Sequence, residues 1–372
     1  MEQISFVVPT LFGLEGIVGD ELRFMGQKDI EIFDGKVHFK GDLDALAKAN
    51  IRLKSGERVL LRIGEFKAVT FDELFEAVKA LPWENWIGRK DAFPVKGYSL
   101  KSALFSVSDC QAIIKKAVAE RLKSKYNISW FEETLTKKQI QFSILKDVVT
   151  VMIDTTGEGL HKRGYRAVSN EAPLRETLAA AIVSISRFRN NETLIDPFCG
   201  SGTIPIEAAF YATRTAPGLL RSFAAESFSE IPKNVWQEQR EAAKALITKP
   251  DIEIFGSDTD IKAIDLTLAN ARKAGVSQYI KARQLDVRQL TPIGRNKGAI
   301  ICNPPYGERM MEQKEAEKLY SDMGKVFKTF EGWKYYILTS HEDFERQFGK
   351  KADKNRKLYN GMIKCYLFQY FK

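Results

Sequence analysis

Four short stretches of the chain combine residue types and spacings able to do chemistry. The first, Asp196-Pro197-Phe198-Cys199-Gly200-Ser201-Gly202-Thr203, directly follows the apolar run ETLI and directly precedes a helical pattern. Two glycines there let the backbone pass close to a ligand, and a helix start offers free N–H groups. The Gly-Lys-Ser/Thr ending of a P-loop is missing, and so is the Gly-x-Gly-x-x-Gly dinucleotide pattern. An acidic residue ahead of the glycines suits a ligand with an ammonium group better than one with a pyrophosphate. A plain strand-to-helix turn would use the same residues. The second stretch, Gly256-Ser257-Asp258-Thr259-Asp260, ends the next apolar run. Asp258 is placed to accept from two ribose hydroxyls, whereas Asp260 precedes a helical pattern ended by Gly275 and reads as its N-cap. The third, Leu285-Asp286-Val287, follows KARQ and could receive the amine of adenine or simply end a loop.

The fourth stretch, Asn303-Pro304-Pro305-Tyr306, decides the reading; it follows the apolar strand GAIIC. Two prolines stiffen the loop and remove two backbone donors, leaving carbonyl oxygens and the Asn carboxamide as acceptors. Such a site can hold an –NH2 group, favour its pyramidalisation and aim its lone pair at an electrophilic methyl group, with Tyr306 stacked on the base ring. A thiolate attack on a pyrimidine carbon is the competing chemistry, because Cys302 touches this loop and Cys199 lies in the first stretch. Cys302 points opposite to Ala299 and Ile301 in a strand pattern and has no basic neighbour in sequence, so both read as structural thiols.

The elements that must position these residues follow from the texture of the chain. From residue 174 a helix (LRETLAAAIVSISRF), a strand, a glycine-rich turn and a helix lead into the strands IEIFGSD, KARQLD, GAIICNP and KYYILTS. Strand-helix alternation predicts a doubly wound, largely parallel sheet with ligands at the carboxyl ends of its strands. Residues 213–250 interrupt it with an insertion holding APGLLRSFAAESF and a polar helix around VWQEQREAAKAL. Residues 1–55 read as a small α+β unit, with IEIF and KVHFK joined as a hairpin by Asp34-Gly35. Residues 56–155 read as helices on one face of a mainly antiparallel sheet, with a capping box at Ser108-Asp109-Cys110-Gln111 opening the helix CQAIIKKAVAERLK. Residues 156–173 read as a connector, and 174–372 as the remaining domain.

At 372 residues the chain exceeds one hydrophobic core, and 44% hydrophobic with 28% charged residues exclude a disordered chain. No apolar run of membrane-spanning length and no leader pattern is present, which implies a cytoplasmic protein. The spacing of four cysteines and three histidines suggests neither a disulfide framework nor a metal site. The net charge of +9 is uneven: residues 1–50 hold 5 basic and 9 acidic residues, and 51–150 hold 18 and 12. Lys115, Lys116, Arg121, Lys123 and Lys125 lie on or after one helical pattern, with Lys137 and Lys138 beyond. They form either a phosphate-tracking surface or a solvated helix face.

In this order the motifs DPFCGSGT, the strand-end acidic residues, LDV and NPPY resemble those of S-adenosylmethionine-dependent amino-methyltransferases. The stretches GLHKRGYR, APLRETLAAAI, APGLLRSF and NPPYGERM narrow the resemblance to RNA methyltransferases containing a THUMP domain. Segment 93–125 resembles the THUMP module, preceded by a ferredoxin-like domain. The likeness is greatest to RlmL-type enzymes that methylate guanine N2 of 23S rRNA. Some relatives carry a second methyltransferase domain, whose activity is not carried over because this chain stops after one.

The resemblance implies an α/β architecture with a Rossmann-like class I methyltransferase domain behind the two smaller ones. It implies S-adenosyl-L-methionine as cofactor, contacted by Asp196, Phe198, Gly200, Ser201, Gly202, Thr203, Asp258, Asp286 and Val287. The catalytic loop would be Asn303, Pro304, Pro305 and Tyr306, with no metal. The partner would be RNA, as large-subunit rRNA or a pre-ribosomal particle, with no membrane. From charge and position rather than from the resemblance, Lys101, Lys115 and Lys116 read as RNA contacts, and Arg163, Tyr165 and Arg166 of the connector either guide RNA between the domains or belong to a plain polar linker. Adenine N6 of DNA or RNA as the target, and an RNA-binding assembly factor without turnover, are the rival readings.

Overall fold

The computed structural model describes residues 3–166, 174–189, 191–295, 297–306 and 310–371. Residues 167–173 of the expected connector and 307–309 of NPPYGERM lie outside the described residues.

The first half builds β1 (Ile4–Pro9), α1 (Glu15–Phe24), β2 (Lys28–Phe33), β3 (Lys36–Gly41), α2 (Leu43–Arg52), β4 (Leu60–Lys67), α3 (Phe71–Ala80), β5 (Val95–Leu100), α4 (Val107–Tyr126), β6 (Ile140–Leu145) and β7 (Val148–Asp154). The sequence suggested two units with their own sheets. Instead β1 pairs with β4 at Phe6↔Leu61 and Val7↔Leu60, so both segments share one seven-stranded sheet, β2-β3-β1-β4-β7-β6-β5. Only β5 and β6 run parallel in it. Alternation sends Phe6, Val8, Phe39, Leu61, Phe142 and Val151 to one face, where Leu22, Leu46, Leu74, Ile114 and Val118 of the helices cover them. Burying each such side chain contributes about 1.5–3 kcal/mol. Helix α4 starts earlier than the sequence suggested, because the Ser106 hydroxyl accepts from Asp109 N at 3.4 Å and leaves Ser108 inside the first turn.

The second half builds α5 (Glu176–Ser186), β8 (Thr193–Asp196), α6 (Thr203–Thr213), α7 (Lys233–Ala245), β9 (Glu253–Asp258), α8 (Ile261–Lys273), β10 (Ile280–Gln284), β11 (Gly298–Cys302), α9 (Met310–Phe327), β12 (Lys334–Thr339), α10 (Phe344–Phe348), β13 (Lys354–Asn360) and β14 (Ile363–Tyr370). Its sheet runs β10-β9-β8-β11-β12-β14-β13. Strands β10 to β12 are parallel, while β14 and β13 form an antiparallel hairpin that the sequence reading missed. Ala299 and Ile301 face one core layer and Ile300 and Cys302 the other, as strand alternation requires.

The insertion does not stand apart from the domains. Its Phe223, Ala225, Phe228, Ile231, Trp236 and Ala243 join the core of the first half, with Phe223 and Trp236 stacked at 5.5 Å. Lys138, fully buried, pairs with Asp91 at 2.8 Å and with Glu230 of the insertion at 2.6 Å. The two halves are therefore joined by packing as well as by the chain.

Candidate active site

The chain adds β9 and β10 to one side of β8, then β11 and β12 to the other, so the order reverses between β8 and β11. In an open parallel sheet this reversal leaves a crevice outside the carboxyl ends of the strands. Asp286, Asp258, Asp196 and Asn303 lie at the ends of β10, β9, β8 and β11, four adjacent strands. All four chemical stretches of the sequence thus meet along one edge.

Asp196 is buried and its Oδ1 accepts from Phe198 N at 3.1 Å. Burial pushes its carboxyl up to about 8; the Phe198 N–H opposes the shift and the neighbouring Asp258 charge adds to it. Asp258 Oδ2 accepts from Gly200 N at 3.0 Å, and its Oδ1 accepts from Asp260 N at 3.1 Å. Asp260 caps α8 by accepting from Lys262 N at 2.9 Å. Gly200 and Gly202 have φ of +52° and +83°, so the loop needs residues free of a Cβ. A Cβ on Gly200 would meet no heavy atom within 4 Å, which makes this part of the loop an open cradle, whereas one on Gly202 would come within 2.9 Å of Thr267.

Two residues that the sequence reading overlooked hold this loop. Thr267 Oγ1 donates to Gly200 O at 2.8 Å, and Asn270 Nδ2 donates to Ser201 O at 2.9 Å. Both are buried polar residues three apart on α8, a spacing visible in IKAIDLTLANARKAG. Phe198 is half-buried and packs against the core beneath. Thr203 opens α6, and its Oγ1 accepts from Arg166 Nη2 at 2.6 Å. Asp286 caps the turn Val287–Gln289 and pairs with Arg288 at 2.9 Å, while Val287 is buried.

In the NPPY loop, Asn303 and Tyr306 are half-buried, Pro304 is buried and Pro305 is exposed. Tyr306 does not present its ring as a free stacking surface. Its hydroxyl donates to Asn303 Oδ1 at 2.5 Å and accepts from Cys365 Sγ at 3.6 Å, and its ring leans on the core around β14. The Tyr320 hydroxyl donates to Pro305 O at 2.7 Å, which pins the loop to α9. The Cys302 thiol is buried, and burial pushes it well above the usual thiol range, so it is a poor nucleophile at neutral pH.

The basic residues expected to meet RNA are largely engaged within the protein. Arg163 is buried, pairs with Glu207 at 3.2 Å and donates to Lys54 O at 2.5 Å and Leu160 O at 2.9 Å; it cannot reach a ligand outside. Arg166 lies 3.4 Å from Glu176 as well as binding Thr203. Lys115 donates to Phe93 O at 3.2 Å and pairs with Glu133. Arg121 and Lys125 share Glu84, and Lys123 lies 3.7 Å from Glu120. Lys101 and Lys116 remain exposed.

Comparison with known proteins places the chain in a family. Residues 163–369 match the family model described as RMKL-like, methyltransferase domain. The chain belongs to the RMKL-like methyltransferases. Residues 5–60 match the RlmL ferredoxin-like domain and 68–154 the THUMP domain, so this member is a Rossmann-like class I methyltransferase domain behind those two units. It is 42% identical over its whole length to "Putative RNA methyltransferase YpsC" of Bacillus subtilis (strain 168), covering 97% of that protein. It is 32% identical over 99% of its length to the ribosomal RNA large subunit methyltransferase K/L of Psychromonas ingrahamii, of which it spans 50%. The structure of SMU.472 complexed with SAH superposes with a TM-score of 0.94 at 38% identity, covering all of this chain and 98% of that one.

Proposed function

We propose that this RMKL-like protein methylates an exocyclic amine in RNA, most specifically guanine N2 of 23S rRNA, using S-adenosyl-L-methionine. The observation that carries the reading is the placement of Asn303 and the Pro304 carbonyl at the strand end adjacent to Asp196, across the switch point. The THUMP match and the RNA-directed names of the two relatives support RNA as the substrate. The large-subunit name of the second supports 23S rRNA.

The residues present fit the cofactor. The cradle beside Gly200 is open, and the buried Asp196 carboxyl has one N–H donor to relieve its charge, a deficit that a cationic group would fill. Gly200, Ser201, Gly202 and Thr203 with Phe198 would hold its amino-acid end, Asp258 its ribose, and Asp286 with Val287 its adenine. When bound, S-adenosylmethionine supplies an electrophilic methyl group.

The protein's own part is positioning. Asn303 Oδ1 and the Pro304 carbonyl accept the two N–H groups of the target amine, which aims the nitrogen lone pair out of the base plane. Asn303 Oδ1 is first released by Tyr306, whose hydroxyl now donates to it, and the freed ring can then stack on the base. A base paired in a helix hides that lone pair, so the target is flipped out or taken from a loop.

The test is incubation with labelled S-adenosylmethionine and, separately, unmodified large-subunit rRNA, small-subunit rRNA, tRNA and DNA, followed by nucleoside mass spectrometry. N2-methylguanosine in large-subunit rRNA, abolished by Asn303→Ala, is the expected result. N6-methyladenine in any acceptor would overturn the guanine assignment, and cofactor binding without transfer to any acceptor would favour an assembly role.

A further inference from the structure

A second cleft, of 620 Å³, lies at the opposite edge of the methyltransferase sheet, between α1, the end of α5 and the face of the β12-β14-β13 strands. Strand register places its floor: Gln369 on β14 stands opposite Tyr336 on β12 and Lys354 on β13, so the three side chains share one face in a row. Arg356, two residues beyond Lys354, lies on the same face, and Arg187 and Arg189 approach from the end of α5.

The charge of this cleft is one-sided. Arg187, Arg189, Lys334, Lys354 and Arg356 line it against the single carboxylate of Asp20, which is itself paired with Arg23 at 2.7 Å. Lys334 is balanced by Glu192 at 2.7 Å, and Arg356 donates to Gly13 O at 3.3 Å. The Arg187 and Arg189 guanidinium groups and the Lys354 ammonium form no ion pair among the described residues, and the carboxylate of Glu192 accepts only from the backbone N–H of Arg189, at 3.1 Å. Gathering such cations around a concave surface raises the local concentration of anions.

A second observation is independent of charge. Gln369 is only 4% exposed, lines the cleft, and its Nε2 has no hydrogen-bond acceptor among the described residues. A buried amide donor left without an acceptor is destabilising, and a ligand oxygen would satisfy it. The carbonyls at the end of α5 would oppose an anion. Two of them are already satisfied: Ser184 O accepts from Arg187 N, and Ser186 O accepts from the Tyr336 hydroxyl at 3.2 Å.

We infer that this cleft is a binding site for a phosphorylated ligand, with Arg187, Arg189 and Lys354 pairing with phosphate oxygens and the Gln369 amide donating to the same group. Guanidinium groups match phosphate geometry through paired N–H donors, and the volume suits a nucleotide-sized group. The source is a free nucleotide or a phosphodiester of an RNA strand. The site lies at the far end of the strands from Asn303, so it is separate from the methyl-transfer edge.

The full-length protein is titrated calorimetrically at 150 mM KCl with inorganic pyrophosphate, ATP, and a 12-nucleotide single-stranded RNA. Saturable binding of at least one probe is expected, weakened tenfold or more by Arg187→Glu/Lys354→Glu and severalfold by Gln369→Leu, with melting temperatures monitored to confirm folding. ATP uptake that the RNA does not compete for assigns the site to free nucleotides; RNA uptake weakened by the same variants assigns it to the strand. No uptake of any probe, or affinities within twofold of wild type for a folded double variant, would overturn the inference. Cofactor binding in the same variants should be unchanged, which separates this outcome from a failure of the methylation reading.

Discussion

At the scale of single residues, the hydrogen bond between Tyr306 and Asn303 connects loop stability to turnover. On the proposed mechanism the acceptor for the target amine, Asn303 Oδ1, is occupied by the Tyr306 hydroxyl of the same loop, so substrate entry would exchange one donor for another. Asn303→Ala removes that acceptor and should lower the methyl-transfer rate about 100-fold or more while leaving cofactor affinity unchanged in a calorimetric titration. Tyr306→Phe keeps the ring and frees the acceptor, so KM for RNA should fall or stay level. Tyr306→Ala loses the stacking surface, worth about 1–3 kcal/mol, and should cut kcat/KM tenfold or more. Equal losses in the two tyrosine variants would refute the exchange. Asp196 makes a different prediction. Its folded-state carboxyl sits near 8, above the ordinary value of 3.8, so the native state favours the protonated form. The associated stability is fully present below about pH 4 and is lost as pH rises towards 8. Asp196→Asn cannot ionise, and its melting temperature should therefore gain on wild type by a few degrees between pH 5 and pH 8.5. A pH-independent difference would show that the carboxylate is solvated or paired.

At the scale of elements, the glycine loop depends on α8 as much as on its own residues. Gly202→Ala meets Thr267 at 2.9 Å and must adopt a φ of +83°, so the loop has to shift. Cofactor affinity should drop tenfold or more with only a modest change in melting temperature, measured by calorimetry and thermal unfolding. The strands beneath the site were legible in the sequence because each is a strongly apolar run ending in a distinct turn, glycine-rich after Thr193–Asp196 and double-proline after Gly298–Cys302. The β13-β14 hairpin escaped because its turn, Gly361-Met362, joins runs of charged and aromatic residues without clean alternation. Contacts distant in sequence were also hidden. Nothing in GLHKRGYR marks Arg163 as an internal cation, since its partner Glu207 is 44 residues away on α6. The basic run on α4 looked like an open surface because Glu84 and Glu133, which neutralise much of it, come from other segments.

At the scale of the whole molecule, the position of Arg163 implies that the RNA-facing half and the methyl-transfer half act as one body. Its guanidinium ties Glu207 of α6 to the carbonyls of Lys54 and Leu160, while Glu57 accepts from Arg175 at 2.9 Å and from Thr177 at 2.6 Å across the same junction. If the half that matches the THUMP domain holds the RNA, a target base would be set at a fixed distance from it, and specificity could come from that distance as well as from the base. Removing one member of a buried pair strands the other charge, and Arg163→Met should cost about 3–5 kcal/mol. Adding Glu207→Leu removes the stranded carboxylate and should recover much of the loss in thermal unfolding, although the two backbone carbonyls stay without their donor. An RNA-contact role for Arg163 would give the opposite pattern: full stability in the single variant and a smaller dependence of RNA affinity on salt. The double variant, folded but with a loosened junction, should bind RNA nearly as well as wild type and lose accuracy, methylating neighbouring nucleotides that the rigid protein leaves unmodified. Nucleoside mapping of its rRNA product tests this, and an unchanged single site would show that base recognition at Asn303 suffices without the fixed distance.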